Sequence, residues 1–278
     1  MRFSWNVALL CGALACFTPA ASAGQLFYDF SGGSLNTLTA IDTSTGVATT
    51  IGTGTGYFSL YSSAFNTDGT FYALGQTATG APAFISVNLV TGVGTLVATP
   101  PASMYGLEAA SDDTIYTTEN GDLYKVPPGG SPTQVGTNSM GVANFMDFAM
   151  DSFGDLYAVG SSTSMTGTSR IYTINTTTGV GTLVGTLPNN PCLMGIAFDA
   201  SNNLFATEYC GGPYPLYEIT GLSVSNPSGA IATAIGTGTG VASLHGGDID
   251  NFTPEPASLM LCLLGGALLA ARRLRRAG

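Results

Sequence analysis

The sequence has few charged residues and almost no basic ones. Charged residues make up 9% of the 278, well below the roughly 25% that is usual for soluble proteins. Lys125 and Arg170 are the only basic residues between positions 24 and 256, a stretch that holds all 17 acidic residues and so carries a formal charge of −15. Nucleic acids and anionic membrane surfaces select basic patches, so the composition argues against both as partners of this stretch.

Histidine is nearly absent as well, which limits the chemistry available to the chain. His245 is the single histidine, and no Cys/His cluster has metal-site spacing. A Ser-His-Asp triad would have to use His245, and no Gly-x-Ser-x-Gly motif is present. The glycine-rich runs 52–56 and 236–240 lack the Lys-Ser/Thr pair of a phosphate loop, and they are predicted to be connections between strands. Scarce histidine, lysine and arginine disfavour acid–base catalysis and anion stabilisation.

The first 23 residues have the pattern of a removable secretory signal. Arg2 gives a positive start, Val7 to Phe17 is apolar, and small residues stand at Ala21 and Ala23. This order predicts cleavage before Gly24. The alternative, a membrane-spanning anchor, is disfavoured because the apolar run is too short.

The last 26 residues, 253–278, contain a second apolar run. Ala257 to Ala271 is uncharged and is followed by four arginines, Arg272, Arg273, Arg275 and Arg276. The run is shorter than the roughly 20 residues that usually span a bilayer, but local thinning and snorkelling arginines can compensate. The pattern predicts a transmembrane helix with the arginines on the cytoplasmic side.

Together with the preceding motif Pro254, Glu255, Pro256, this tail resembles the PEP-CTERM sorting signal of Gram-negative bacteria. The resemblance covers residues 253–278 only. It implies recognition by an exosortase, passage through the inner membrane, and delivery to the cell surface or the extracellular space. It also implies an association with producers of exopolysaccharide and biofilm. The tail is a sorting signal and carries no information on the function of residues 24–252.

Residues 24–252 consist of short β-branched and aromatic runs separated by turn residues, and three markers recur together in them. The first marker is an aromatic residue, at Phe27, Tyr72, Tyr116, Tyr157 and Phe205. The second is β-branched, at Ile41, Val87, Val126, Ile174 and Ile219. The third is also β-branched, at Ile51, Val97, Val135, Val184 and Ile235. Markers that stay in step over five units indicate a structural repeat of about 45 residues.

Each unit is predicted to form four antiparallel strands, a to d, which is the blade of a β-propeller. Thr-Gly pairs at positions 45–46, 91–92 and 178–179 mark the turns between strands c and d, where glycine supplies positive φ. The repeat begins at a strand b and finishes on a strand a, so the last strand can complete the first blade and remove an open edge. We therefore predict an all-β, five-bladed propeller, with a β-sandwich or a β-solenoid as the alternative. The repeats resemble those of exported propeller-like proteins in general, without a named family.

Two of the five cysteines, Cys192 and Cys210, lie outside the two ends of the chain. When Asp199 is paired with Asn203 across the turn of the fifth unit, the strand register places Cys192 opposite Cys210. Because exported proteins meet an oxidising compartment, the register predicts a disulfide between them, the alternative being two unrelated thiols.

One face of the predicted propeller is built from the loops that join strand d to strand a and strand b to strand c. These loops carry Tyr57, Tyr61, Tyr105 and His245. Aromatic rings beside hydroxyl groups are suited to stacking on sugars, although each tyrosine could instead pack between blades. Glu119 and Glu208 occupy equivalent repeat positions and form a candidate carboxylate pair. Aspartates such as Asp147 and Asp151 could bind calcium, but EF-hand spacing is absent and a turn-capping role is favoured. No other cofactor is predicted.

Three functions therefore remain open from the sequence. The first is a non-enzymatic surface or matrix protein whose propeller face binds polysaccharide or another envelope component. The second is a glycan-active enzyme with an acidic pocket, and the third is a structural spacer without a ligand.

Overall fold

The computed structural model describes residues 25–251 apart from 33–35, 137–139, 142–144, 162–167, 190–191, 211–214 and 242. The predicted signal sequence with its cleavage site, and the predicted sorting tail with its helix, lie outside the described residues. Within the described part, no helix is long and apolar enough to cross a membrane.

Within the described residues, twenty strands form five antiparallel sheets of four strands each. The first blade comprises β1 (Leu26–Ser31), β2 (Thr37–Asp42), β3 (Ala48–Ile51) and the last strand, β20 (Leu244–Ile249). The second comprises β4 (Phe58–Phe65), β5 (Phe71–Gln76), β6 (Pro82–Val87) and β7 (Gly94–Ala98). The third comprises β8 (Tyr105–Ala109), β9 (Ile115–Glu119), β10 (Asp122–Val126) and β11 (Thr133–Val135). The fourth comprises β12 (Phe145–Met150), β13 (Leu156–Ser161), β14 (Ser169–Ile174) and β15 (Gly181–Leu187). The fifth comprises β16 (Leu193–Phe198), β17 (Leu204–Glu208), β18 (Leu216–Thr220) and β19 (Ile231–Ile235).

The five sheets form a closed ring around a central axis. The strands nearest the axis are β4, β8, β12, β16 and β20, and each packs against the next around the ring. The ring closes because β20 pairs antiparallel with β1, bringing Ile249 opposite Phe27. The predicted five-bladed propeller, its strand order and its closure by the terminal strands are confirmed, and the sandwich and solenoid alternatives are wrong.

The hydrophobic core is divided into five parts, one at each junction between blades. Phe30 and Phe71, for example, stack between blades one and two with ring centroids 5.7 Å apart. The part between blades two and three is the smallest, with five buried residues. A blade alone could not bury both of its faces, so the junctions hold the ring together.

Glycine residues fasten three of the junctions at the outer rim. Gly52 follows strand d of blade one and lies against the carbonyl of Thr91 in blade two, while Gly92 lies against the carbonyl of Ile51. The same reciprocal contact, here called the glycine clasp, joins blades three and four through Gly136 and Gly179. It joins blades five and one through Gly236 and Gly46. All six glycines have positive φ, as predicted for those in the Thr-Gly turns.

The other two junctions are built differently. Between blades four and five, an inserted loop carrying the short 3₁₀ helix Pro227–Gly229 covers β15, and Ser223 donates its N–H to the carbonyl of Val184 (2.8 Å). Between blades two and three, Pro127 and Pro128 lie in the loop where blades one, two and four have Thr-Gly. An apolar crevice of about 430 Å³ opens there. This junction, one of the two without a glycine clasp, also has the smallest core.

The cysteines of blade five are joined, as predicted, with Cα atoms 5.5 Å apart. The predicted register is right from Phe198 to Gly195 and then shifts by one residue at a bulge. Cys192 consequently lies opposite Tyr209, whose N–H it accepts at 3.0 Å, and the disulfide reaches diagonally to Cys210.

The glycine clasp predicts which glycine substitutions lower the free energy of unfolding most. Gly52→Ala should lower the free energy of unfolding by about 2 to 4 kcal/mol, because strain at positive φ is added to a clash. Its Cβ would lie 2.0 Å from the Thr91 carbonyl oxygen. Gly129→Ala is the matched control, since Gly129 has a similar φ of +68° but no atom within 4 Å of the added Cβ. It should cost only about 1 to 2 kcal/mol. Urea unfolding measures both, and equal losses would contradict the clasp.

Candidate functional site

Every inner strand has a β-bulge at the same end of the axis. In blades three, four and five the extra residues are Gly106, Met146 and Met194. In blade one the bulge is at Gly246, and in blade two the segment 59–61 lies opposite Gly75 alone. A bulge redirects the side chains around it and terminates regular pairing. Five bulges at one level therefore widen this end of the axis, which the predicted d–a and b–c loops surround.

A cavity of about 410 Å³ lies on the bulges. Its lining side chains are mainly aromatic or thioether groups: Ser59, Tyr61, Tyr105, Phe145, Met146, Met194, Tyr209 and His245. We call this cavity the aromatic cup. The Tyr61 and Tyr105 rings lie 4.8 Å apart between centroids, and those of Tyr209 and His245 lie 5.1 Å apart. The cup thus offers ring faces from different blades to one ligand.

His245 gives the cup a buried polar atom. The side chain is 8% exposed, and its Nδ1 atom has no hydrogen-bond partner among the described residues. Burial lowers the pKa of His245, while a hydrogen bond to the main chain of Leu60 opposes the shift. A neutral ring that donates one N–H to the main chain leaves its other nitrogen as an acceptor. His245 can therefore accept a hydrogen bond from a ligand hydroxyl in the cup.

Below the cup, the carboxyl group of Asp147 lies on the axis of the ring. It accepts hydrogen bonds from the hydroxyl of Ser62 and from the N–H groups of Ile196 and Gly247, both at 3.2 Å. Asp147 is fully buried, and this burial raises its pKa well above the usual range. The three donors belong to blades two, five and one, so one carboxyl group joins four of the five blades.

Two further buried carboxyl groups connect neighbouring blades. Asp29 accepts a hydrogen bond from the hydroxyl of Thr207 in blade five (2.5 Å), and Asp248 accepts one from the N–H of Phe65 in blade two (2.7 Å). Burial raises the pKa of each to about 7, despite these hydrogen bonds. Both groups therefore bind a proton in the folded protein at a pH where the unfolded chain has lost it.

The structure brings only some of the predicted binding residues together. Tyr61, Tyr105 and His245 line the cup as predicted, but Tyr57 packs against the core between blades one and two. Tyr57 lies outside the cup because it precedes the bulged segment of β4 and lies against Gly94.

The predicted carboxylate pair is not brought together. Glu119 ends β9 in blade three, opposite Asp122 and within hydrogen-bond reach of the Tyr124 hydroxyl. Glu208 ends β17 in blade five, where it is buried and accepts a hydrogen bond from Tyr217 (3.3 Å). Blades three and five are not neighbours in the ring, because blade four lies between them.

The aspartates considered for calcium have structural roles in the described part of the chain. Asp151 Oδ1 accepts the N–H groups of Phe153 and Asp155, which closes its own turn. The carboxyl group of Asp147 accepts its three hydrogen bonds on the axis. Among the described residues, no group of three or more His, Cys, Asp or Glu side chains is arranged to hold a metal ion.

Sequence reasoning missed five of the eight residues that line the cup, namely Ser59, Phe145, Met146, Met194 and Tyr209. The signal was present in the repeat, because Tyr61, Tyr105, Met146 and Met194 follow one another at blade spacing. An alignment of the residues four to six positions before each a–b turn would have placed them on one level.

Comparisons with known proteins support the fold and leave the family open. No family model and no curated protein matches the chain. A symmetrical protein from work on de novo evolutionary emergence is 16% identical and matches with a TM-score of 0.54, over 80% of this chain and 98% of its own. TolB from Acinetobacter baumannii is 10% identical over 81% of this chain and 66% of its own, with a TM-score of 0.49. A PQQ-bound aldose sugar dehydrogenase from Streptomyces coelicolor is 17% identical over 71% and 75%, with a TM-score of 0.46. Of these similarities, only the first has a TM-score above 0.5, and at 16% identity it shows the fold alone.

The raised carboxyl pKa values predict that the protein is more stable in mild acid. Between the unfolded and folded pKa values, the native state binds more protons than the unfolded chain, so stability falls as pH rises. The free energy of unfolding should drop by at least about 2 kcal/mol from pH 5 to pH 8. Asp29→Asn, which mimics the protonated acid, should flatten this dependence. Urea unfolding at each pH measures it, and a stability that rises towards pH 8 would contradict the prediction.

Proposed function

We propose that this protein is an exported surface or matrix protein whose aromatic cup binds a sugar residue of an envelope polysaccharide. The observation that carries the proposal is the unpartnered Nδ1 of His245, which is buried in a cavity lined by tyrosine rings. A sugar ring presents an apolar C–H face and several hydroxyl groups, and the cup supplies a complementary partner for each.

The size and composition of the cup support a small-molecule or saccharide ligand. Its volume of about 410 Å³ is within the roughly 300 to 1,000 Å³ of typical ligand pockets, which combine apolar walls with a few polar groups. Tyrosine provides a broad apolar ring together with a hydroxyl that can hydrogen-bond. Tyr105 is exposed and Tyr61 half-buried, so their rings are accessible from solvent.

The arrangement favours binding over glycan cleavage. Cleavage needs two carboxyl groups flanking one glycosidic bond. The cup lining given by the described residues contains no carboxyl group. Of the buried carboxyl groups, Asp147 lies below the cup, and Glu108 and Asp248 line the cavity at the other end of the axis. Asp29 and Glu208 are also buried, and each accepts a hydrogen bond from a side-chain hydroxyl. We therefore propose a role without catalysis.

The location at the cell envelope belongs to the same proposal and is supported by the two ends of the sequence. The secretory pattern before Gly24 points to export, and the resemblance of residues 253–278 to a PEP-CTERM signal points to exosortase processing. The neutral, aromatic cup face is suited to polysaccharide rather than to anionic partners, which would need basic residues.

A glycan array and retention on purified exopolysaccharide test the proposed ligand. We expect specific retention, and we expect the Tyr61→Ala/Tyr105→Ala variant to bind at least about 10-fold more weakly, since two stacking faces are lost. Phe153→Ala is the matched control, because Phe153 is an aromatic residue that is 83% exposed on the turn between β12 and β13, at the other end of the propeller.

Retention of the double variant at wild-type strength would exclude the cup as the site. Absence of retention on every glycan would reject the polysaccharide proposal and favour the structural spacer. A thermal melt of each variant shows whether the variant is folded, so that a loss of binding can be distinguished from a loss of folding.

A further inference from the structure

A second cavity lies at the opposite end of the axis from the aromatic cup. Its volume is about 310 Å³, and it lies among the ends of the inner strands and the turns that follow them. Four of its lining residues are acidic: Glu108, Asp151, Asp199 and Asp248. We call this cavity the acidic end. It shares no lining residue with the cup, and the buried Asp147 lies between them.

Glu108 is the unexplained group of the acidic end. It is 7% exposed, and its Oε2 atom has no hydrogen-bond partner among the described residues. The carboxyl group accepts hydrogen bonds from the main-chain N–H groups of Ala109 and Met150, which hold it in place. A buried polar atom without a partner is destabilising, and such an atom on a residue that lines a cavity is a candidate acceptor for a ligand donor.

The charge around Glu108 is not balanced by basic residues. Lys125 and Arg170, the basic residues of the described part, lie on β10 and β14, away from the axis. The turns at this face also carry many of the aspartates of the chain, namely Asp42, Asp68, Asp112, Asp113, Asp151, Asp155 and Asp199. The potential of this face is therefore negative and attracts cations.

The form of the cavity favours an organic cation over a metal ion. No set of three or more ligating side chains in the described residues is arranged for a metal. The apolar parts of the wall, at Ala109, Met150, Ala200 and Ile249, are suited to the alkyl stem that carries an ammonium or guanidinium group. Such groups donate N–H hydrogen bonds to carboxylates and strengthen them by charge.

We propose that the acidic end binds an organic cation that donates N–H hydrogen bonds, a guanidinium or primary ammonium group, with Glu108 as its buried acceptor. The bound cation completes the hydrogen bonding of Oε2 and offsets the negative charge of the turns. This site is separate from the aromatic cup and does not depend on the ligand of the cup.

Cation binding should release a proton. Burial, and next the charges of Asp248 on β20 and Asp147 on β12, raise the pKa of Glu108 well above its usual range. Asp151 and Asp199 face the same cavity from the turns, and Asp250 adds to the negative potential at Asp248. A cation stabilises the ionised carboxylate and lowers that pKa. Affinity should therefore increase from pH 6 to pH 8.

Isothermal titration calorimetry of the purified protein tests the site with four probes. N-butylguanidinium and n-butylammonium carry the two candidate groups, N-butylurea is a neutral analogue, and calcium chloride tests a metal. We expect at least one of the two cations to bind at pH 8 and to bind more weakly at pH 6. We expect N-butylurea not to bind at either pH. Comparing the two cations identifies the preferred group.

Glu108→Gln should weaken cation binding by at least about 10-fold, because the charge-assisted hydrogen bond is lost. Asp68→Asn is the matched control, since Asp68 lies on a turn of the same face but outside the cavity. It should change affinity by less than about 2-fold, as a distant exposed charge is screened by salt.

Three results would overturn the proposal: N-butylurea binding as tightly as the cations, unchanged affinity in Glu108→Gln, or binding of calcium alone. If Glu108→Gln fails to fold, the wild-type protein still decides the question. Titrations in two buffers of different ionisation enthalpy report proton release on binding, and its absence would equally reject Glu108 as the acceptor.

Discussion

The carboxyl group of Asp147 lies on the axis and accepts hydrogen bonds from three blades other than its own. A ring of five inner strands leaves little room on its axis, so only one such side chain fits at this level. The first residues after the bulges in blades two, five and one are accordingly small: Ser62, Gly195 and Gly247. A Cβ on Gly195 would lie 2.5 Å from the Thr207 hydroxyl and 3.2 Å from the Asp29 carboxyl. The glycines thus make space for the carboxyl groups that connect the blades.

This closed centre explains why the two ends of the axis have different chemistry. Above Asp147, the bulges interrupt regular pairing, and the side chains that they redirect are aromatic rings and methionines. Below it, pairing is regular down to the a–b turns, and the turns need aspartates because a short carboxylate can accept the N–H groups of its own turn. One end therefore becomes neutral and aromatic, and the other acidic.

The repeat made much of the fold predictable, and the bulges made part of the site unpredictable. Marker spacing gave the blade count, the strand order and the closure, because alternating apolar residues and turn residues constrain each blade locally. The spacing aligns equivalent residues of different blades, but nothing within one strand shows that it contains an extra residue, so Cys192 was placed opposite Cys210 rather than Tyr209. The roles of Asp147 and Asp248 were missed for a related reason. An aspartate near a turn is usually a cap, and only the position of the next blade shows that these two reach across a junction.

The distribution of acidic residues also changes what the formal charge means. The sequence assigns −15 to residues 24–256. Burial, however, raises the pKa of Asp29 and Asp248 to about 7, and it also raises the pKa of Glu108 and Asp147 well above the usual range. Asp29 and Asp248 are therefore partly protonated near neutral pH. In contrast, hydrogen bonds from Thr70 and Thr114 lower the pKa of Asp68 and Asp112 in exposed turns. The effective charge is therefore smaller than the formal one and concentrated on one face. A neutral ligand in the cup and a cation at the acidic end would then bind without competing, because Asp147 separates the two cavities.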